Sequence, residues 1–169
     1  KGISMIAENL EKAYENGEDR EARRNMMIAS TIGGMAFISS NVGAVHAFAE
    51  TVGAWFDTPH GVANSLFLPY IMEFNIPACP ERFADIADAM GIEREESMSD
   101  EQYALKAVEY VKALNRKLNI PTIKEIKGIT EERFEAIAER SANNVLSNDN
   151  ARKITKEDYL ELLKKAYNE

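Results

Sequence analysis

The chain has 169 residues, of which 45% are hydrophobic, and it carries a formal net charge of −8. Its length suits one domain, and its acidic balance disfavours nucleic acid and anionic membranes as partners. Polar residues interrupt every apolar run before it is long enough to cross a bilayer. The single cysteine, Cys79, excludes an internal disulfide and fits a reducing compartment. We therefore expect a cytoplasmic protein without a membrane partner.

The first half of the chain is predicted to hold four helices, because apolar residues recur at helical spacing. The first covers Gly2–Glu15 and ends at an Asn-Gly pair. The second starts after Asp19, a suitable cap, and continues toward Phe37. Its later part is rich in small residues, which let another backbone approach, so we place it at the centre of the domain. A third helix follows Asn41, and a fourth ends near Asn75.

The second half of the chain has the apolar stripes of an ordinary amphipathic bundle. Four further helices are predicted near Pro80–Met90, Ser99–Leu118, Thr130–Asn143 and Thr155–Tyr167. The only plausible extended segment is Ile120–Ile126, where Pro121 disfavours a central strand. The sequence therefore predicts an all-α fold, a helical bundle of about eight helices.

Both histidines of the chain lie in one short segment. We expect His46 on the third helix and His60 in the first turn of the fourth, with Thr58 as N-cap and Pro59 at the first helical position. The positive end of that helix favours a neutral imidazole, so two buried rings brought together by a tight turn would form half a metal site. Zinc or ferrous iron normally needs at least three protein ligands. Plain core packing of the histidines is the alternative.

The segment Gly43–Asn64 resembles the second signature of the iron-containing alcohol dehydrogenase family, a His followed by small residues and then Pro-His-Gly-x-Ala-Asn. Further tracts that resemble this family are Gly34–Phe37, Leu66–Asn75, Arg82–Ala87 and Leu114–Pro121. The resemblance covers nearly the whole chain and is strongest to the branch of lactaldehyde reductases and propanediol dehydrogenases.

The resemblance implies that residues 1–169 are a single C-terminal helical domain, the dehydroquinate synthase-like α-domain of these enzymes. In the family, four protein ligands hold a divalent metal, Fe(II) or Zn(II), and His46 and His60 match the later two. The other two ligands and the nucleotide-binding domain would then precede residue 1, which itself opens an amphipathic helix. We accordingly expect the isolated chain to be inactive.

The same resemblance implies that the parent enzyme interconverts a small alcohol and its aldehyde or ketone with NAD or NADP. Phe37, Val42 and Leu146 match positions of the substrate pocket, although core packing also suits the first two. Glu50 stands where the family usually has a second histidine, and it shares a helix face with His46. It is therefore a candidate proton relay, or an ordinary partner of that histidine.

Three points stay open at the level of sequence. The chain could be a non-catalytic helical interaction module with core histidines, or a relative closer to glycerol dehydrogenases. It could also take part in a homodimer, as helical domains of the family often do.

Near the C-terminus, Asn150 and Arg152 are expected to cap and brace the last helix.

Overall fold

The computed structural model describes residues 1–169 and contains eight α-helices and no strand. The helices are α1 (Gly2–Glu15), α2 (Arg20–Ser40), α3 (Ala44–Phe56), α4 (His60–Asn75), α5 (Pro80–Ala89), α6 (Asp100–Lys117), α7 (Phe134–Ala142) and α8 (Lys156–Asn168). The predicted all-α fold with about eight helices is confirmed. The helices form two compact units: the first contains Lys1–Asn41 and Cys79–Tyr110, and the second contains Val42–Ala78 and Val111–Glu169.

In the first unit, α1 lies along α2, and polar side chains fix where the helices begin and how they pair. The Asp19 carboxylate accepts hydrogen bonds from the backbone N–H groups of Glu21 and Ala22, so the predicted cap of α2 is confirmed. The buried Asn9 on α1 accepts a hydrogen bond of 3.1 Å from the Asn25 amide on α2. This bond satisfies a polar group that would be costly to bury alone.

The C-terminal part of α2 differs from its predicted central position. All of residues 33–40 are exposed, and no atom lies within 4 Å of where a Cβ would stand on Gly33 or Gly34. The small residues therefore do not mediate a close backbone approach within these 169 residues. No single helix is long and apolar enough to cross a membrane, although α2 and α3 pass that test of length and composition when taken together.

The second unit has an aromatic core that fixes α3 against its neighbours. The Phe48 ring of α3 stacks on Phe67 of α4, with ring centroids 4.3 Å apart, and meets Tyr159 of α8 edge to face at 4.6 Å. All three side chains are fully buried. Each such ring contributes a large share of the hydrophobic stabilisation and prefers these offset geometries. Because Phe48 lies two residues after His46, this packing also holds the segment with both histidines in place.

In the second unit, the absence of a strand at Ile120–Ile126 agrees with the sequence, whereas the predicted start of the helix near Thr130 needs correction. The segment Ile120–Ile126 contains a short 3-10 helix, Ile123–Glu125, and no strand. Its start is held by Thr122, whose backbone N–H and hydroxyl both donate to the Glu125 carboxylate. The helix predicted from Thr130 begins as a separate 3-10 turn, and α7 itself starts at Phe134.

Candidate metal centre

A tight turn brings the two histidines of the chain together. α3 ends at Phe56, and Asp57 then adopts a left-handed conformation with φ 50° and ψ 37°. α4 begins directly at His60, so its imidazole lies beside that of His46 with ring centroids 5.3 Å apart. The predicted approach of the two rings is thus seen in the structure, whereas their role as metal ligands stays a prediction.

The start of α4 differs by one residue from the predicted arrangement. Pro59 is the N-cap and His60 is the first helical residue, so Thr58 does not cap the helix. The Thr58 hydroxyl instead lies 3.5 Å from the carbonyl oxygen of Phe56 and is itself buried. His60 still lies at the N-terminal, positive end of the helix dipole.

The two imidazoles differ in their environment. His46 is partly buried, whereas His60 is exposed, so the prediction that both rings are buried is wrong for His60. Burial lowers the pKa of His46, the neighbouring His60 lowers it further, and Glu50 raises it. His46 therefore favours the neutral form, which is the form that binds metal ions.

Asn64 is a residue of the centre that had been noted only as part of a motif. Its amide nitrogen lies 2.9 Å from the carbonyl oxygen of His60 and 3.1 Å from the Nε2 atom of the same residue. Its Oδ1 atom is buried and has no hydrogen-bond partner. The i to i+4 spacing on a helix would have been enough to predict this contact.

A cleft of about 360 Å³ opens beside His46. It is lined by Val42, Gly43, Val45, His46, Asn64, Ser65 and Leu68. Its wall is mostly apolar and has few polar groups, as is usual for pockets that bind small molecules. Of the predicted pocket residues, Val42 lies in this wall. Leu146 packs against the hydrophobic core of the second unit, and Phe37 is a half-exposed residue near the end of α2 in the first unit.

Glu50 is anchored by a residue that the sequence did not single out. The Asn144 amide donates a hydrogen bond of 2.7 Å to the Glu50 carboxylate. The Oδ1 atom of the Asn144 side chain in turn accepts from the backbone N–H of Leu146. The carboxylate is exposed and raises the pKa of His46, so it acts on the imidazole electrostatically while being held by Asn144.

The Asn150 side chain joins the start of α3 to the end of α4. Its Oδ1 atom accepts from the backbone N–H of Ala44, and it exchanges a pair of hydrogen bonds with Asn75 at 3.1 and 2.7 Å. The Arg152 guanidinium lies over the Phe74 ring and donates to the Phe74 carbonyl oxygen. The prediction that Asn150 and Arg152 brace the last helix is therefore wrong, because both hold α4.

The residues of the centre fit part of a metal site. His46 and His60 offer two imidazoles at short range, and the apolar cleft beside them would exclude water from a bound ion. No group of three or more His, Cys, Asp or Glu residues in residues 1–169 is placed so that it could hold a metal ion. The two imidazoles are thus fewer than the three or four protein ligands that a zinc or iron site requires.

Comparison with known proteins identifies the family. Residues 1–167 match the sequence model of the Fe-containing alcohol dehydrogenase family, C-terminal. The chain is 37% identical to the 1,3-propanediol dehydrogenase of Citrobacter freundii over 165 residues, which cover 98% of the chain and 42% of that protein. It is 36% identical to the lactaldehyde reductase of Escherichia coli (strain K12) over 167 residues, which cover 99% of the chain and 43% of that protein.

Solved structures agree with this assignment. The alcohol dehydrogenase from Oenococcus oeni matches with a TM-score of 0.93 and 39% identity, covering 98% of the chain and 43% of that structure. A 1,3-propanediol oxidoreductase matches with a TM-score of 0.92 and 36% identity, at the same coverage of 98% and 43%. The chain therefore spans less than half the length of the relatives it matches, and it belongs to the Fe-containing alcohol dehydrogenase family, whose C-terminal region it represents.

Proposed function

We propose that this chain supplies two metal ligands, His46 and His60, and part of the substrate pocket to a nicotinamide-dependent alcohol dehydrogenase. The observation that carries the proposal is the approach of the two imidazoles to 5.3 Å in a chain of this family. Because two imidazoles make only half a site, the remaining ligands and the main nicotinamide-binding surface would lie outside these 169 residues.

A divalent metal, Fe(II) or Zn(II), would act at this centre as a Lewis acid that polarises the oxygen of a small alcohol or aldehyde. His46 contributes a neutral imidazole, because its burial disfavours protonation. Val42 lines the cleft, where its side chain would limit the size of the substrate. Phe37 and Leu146 are proposed to complete the pocket in the whole protein.

Glu50 is proposed to take part in proton transfer. Its carboxylate acts electrostatically on His46, and the bond from Asn144 limits the positions that it can adopt. A carboxylate next to a metal-bound imidazole can also make that ligand more basic. The exposed position of Glu50 keeps it in contact with solvent, which is where a transferred proton must finally go.

The cofactors and partners follow from the same proposal. NAD or NADP would accept or supply the hydride, with most of its binding surface outside this chain. The relatives include an NADPH-dependent butanol dehydrogenase and an NAD-dependent methanol dehydrogenase, so both nicotinamides occur among similar proteins. We further propose a cytoplasmic location, supported by the single cysteine, and a possible homodimer as the assembled form.

Metal titration tests the proposed role of the histidines. We expect anaerobic Fe(II), and separately Zn(II), to bind weakly to the chain in calorimetry, and His46→Ala or His60→Ala to abolish this binding. Ser65→Ala is the matched control, because Ser65 lines the same cleft and its hydroxyl bonds only to the Gly61 carbonyl oxygen. Binding that both histidine variants retain would contradict the proposal and favour an interaction module with structural histidines. The titration with Glu50→Gln should change affinity slightly, because Glu50 is not proposed as a ligand.

A further inference from the structure

We infer that Asn64 is a positioning residue that holds His60 in one tautomer, with the ring proton on Nδ1 and the free lone pair on Nε2. The use of this arrangement, presenting Nε2 to a metal, rests on the proposed function. The tautomer itself follows from two hydrogen bonds of Asn64 and does not depend on any metal.

The carbonyl oxygen of His60 fixes which way the Asn64 amide points. One of its two terminal atoms lies 2.9 Å from the carbonyl oxygen of His60, and a carbonyl oxygen can only accept a hydrogen bond. That terminal atom must therefore be the nitrogen, because an oxygen there would bring two acceptors together without a proton between them. The carbonyl of His60 thus sets the amide orientation independently of the ring.

The orientation of the Asn64 amide determines which nitrogen of the His60 ring carries the proton. The same amide nitrogen lies 3.1 Å from Nε2 of His60, and an amide nitrogen can only donate. One of its two hydrogens goes to the carbonyl oxygen, so the other is directed at the ring. Nε2 must then be the accepting nitrogen, and the single proton of the neutral ring lies on Nδ1. A free imidazole prefers the opposite tautomer, so this contact changes the state of the ring.

The Oδ1 atom of Asn64 has no hydrogen-bond partner. It is buried and accepts no hydrogen bond, an unfavourable state that few native side chains adopt. Turning the amide over would pair Oδ1 with a protonated Nε2, but it would also place Oδ1 against the His60 carbonyl oxygen and leave the NH2 group buried without an acceptor. The observed orientation is therefore the better of the two, and its cost is consistent with a functional constraint on this residue.

The arrangement suits an imidazole whose Nε2 lone pair is available to a cation. The amide hydrogen occupies the lone pair of Nε2 in the metal-free chain, so the ring cannot turn freely although His60 is exposed. A metal that binds Nε2 would replace this hydrogen and release the Asn64 amide. The Nδ1 proton would remain in place, so no change of tautomer would be needed on binding.

Long-range proton–nitrogen NMR spectra of the imidazoles test the inference in the metal-free chain at mildly alkaline pH. We expect Nε2 of His60 to appear as the unprotonated nitrogen. In Asn64→Ala the tautomer ratio should reverse toward Nε2–H. Asn64→Asp should reverse it too, because a carboxylate can only accept, whereas Ser65→Ala should leave it unchanged.

A wild-type spectrum with the proton on Nε2 would overturn the inference, as would an Asn64→Ala spectrum identical to the wild type. The wild-type spectrum decides the question even if a variant fails to fold. Adding Zn(II) to the wild type separates the inference from the proposed function. An Nδ1–H tautomer without Zn(II) binding would support Asn64 and contradict the metal role, whereas binding to a chain with Nε2–H would do the reverse.

Discussion

A chain of buried hydroxyl groups runs through the second unit. The Thr51 hydroxyl on α3 donates to the Ala47 carbonyl oxygen and accepts from the Ser141 hydroxyl of α7. The Ser147 hydroxyl donates to the Ser141 carbonyl oxygen, so it must accept the hydrogen bond of 2.7 Å from the Tyr159 hydroxyl. Every member is satisfied, which is the condition under which a buried polar network stabilises a fold.

Replacing Tyr159 with Phe tests this network. The variant should lose roughly 1 kcal/mol of stability at neutral pH, because the Ser147 hydroxyl loses its donor while the ring packing remains. Burial raises the pKa of Tyr159 to about 12, well above its value in an unfolded chain. Its contribution is therefore fully present below pH ~10 and is lost as the pH rises toward 12.

Urea unfolding of the wild type and Tyr159→Phe across this alkaline range provides the measurement. The wild type should lose stability more steeply than the variant. The partly buried Tyr70 and the buried Tyr103, whose pKa values are also raised, are common to both proteins. An equal slope in the two proteins would contradict the assignment.

The candidate centre was predictable from sequence only where its contacts are local. The approach of His46 and His60 follows from the short turn between α3 and α4, and the bond between Asn64 and His60 follows from helical spacing. The bond between Thr51 and Ser141 joins residues 90 positions apart, and no local pattern indicates it. The same holds for the bond between Asn144 and Glu50, which are 94 positions apart.

Helices of the chain follow the same rule. Asp19 caps α2 as predicted, because its carboxylate bonds only to residues two and three positions later. Thr155 caps α8 in the same local way, through its hydrogen bonds with Asp158. The central position of α2 was predicted from its small residues alone, and no atom lies within 4 Å of where a Cβ would stand on Gly33 or Gly34. Composition indicates that a close approach is sterically possible, but it does not show that a partner is present.

Two glycines provide a matched test of helix positioning. A Cβ at Gly43 would lie 3.0 Å from Oδ1 and 3.2 Å from Cα of Asn150, so Gly43→Ala should push away the side chain that caps α3. We expect a loss of about 1–3 kcal/mol. Gly34→Ala in α2 meets nothing within 4 Å and should stabilise the chain by about 0.5–1 kcal/mol.

Thermal unfolding of both alanine variants measures these opposite effects. Zn(II) affinity should also fall in Gly43→Ala, because α3 carries His46 three residues later, and should not change in Gly34→Ala. Equal effects of the two substitutions would mean that Asn150 does not position α3.

At the scale of the whole molecule, apolar side chains remain uncovered on α2. Met35 is 67% exposed, Phe37 51% and Ile38 80%. Contiguous apolar surface of this kind is uncommon on monomers and usually marks a contact surface or a tendency to associate.

The double substitution Met35→Gln and Ile38→Gln should reduce the fluorescence of a bound hydrophobic dye and the tendency of the chain to associate in ultracentrifugation. Stability should change by no more than about 0.5 kcal/mol, because both side chains are exposed. Arg24→Gln, an exposed change on the same helix, is the control and should alter neither property. Unchanged dye binding in the double variant would show that the dye reports on another surface.

Each of the two units is built from two separate stretches of the sequence, and this division affects when its parts can pack together. The unit that holds both histidines is built from residues 42–78 together with residues 111–169. Phe48 cannot pack against Tyr159 until α8 has begun to be synthesised. The packing of Phe48 against Tyr159 therefore joins the histidine segment to a helix that follows it by more than a hundred residues. The packing around the histidines is in this sense completed only by residues encoded far downstream of them.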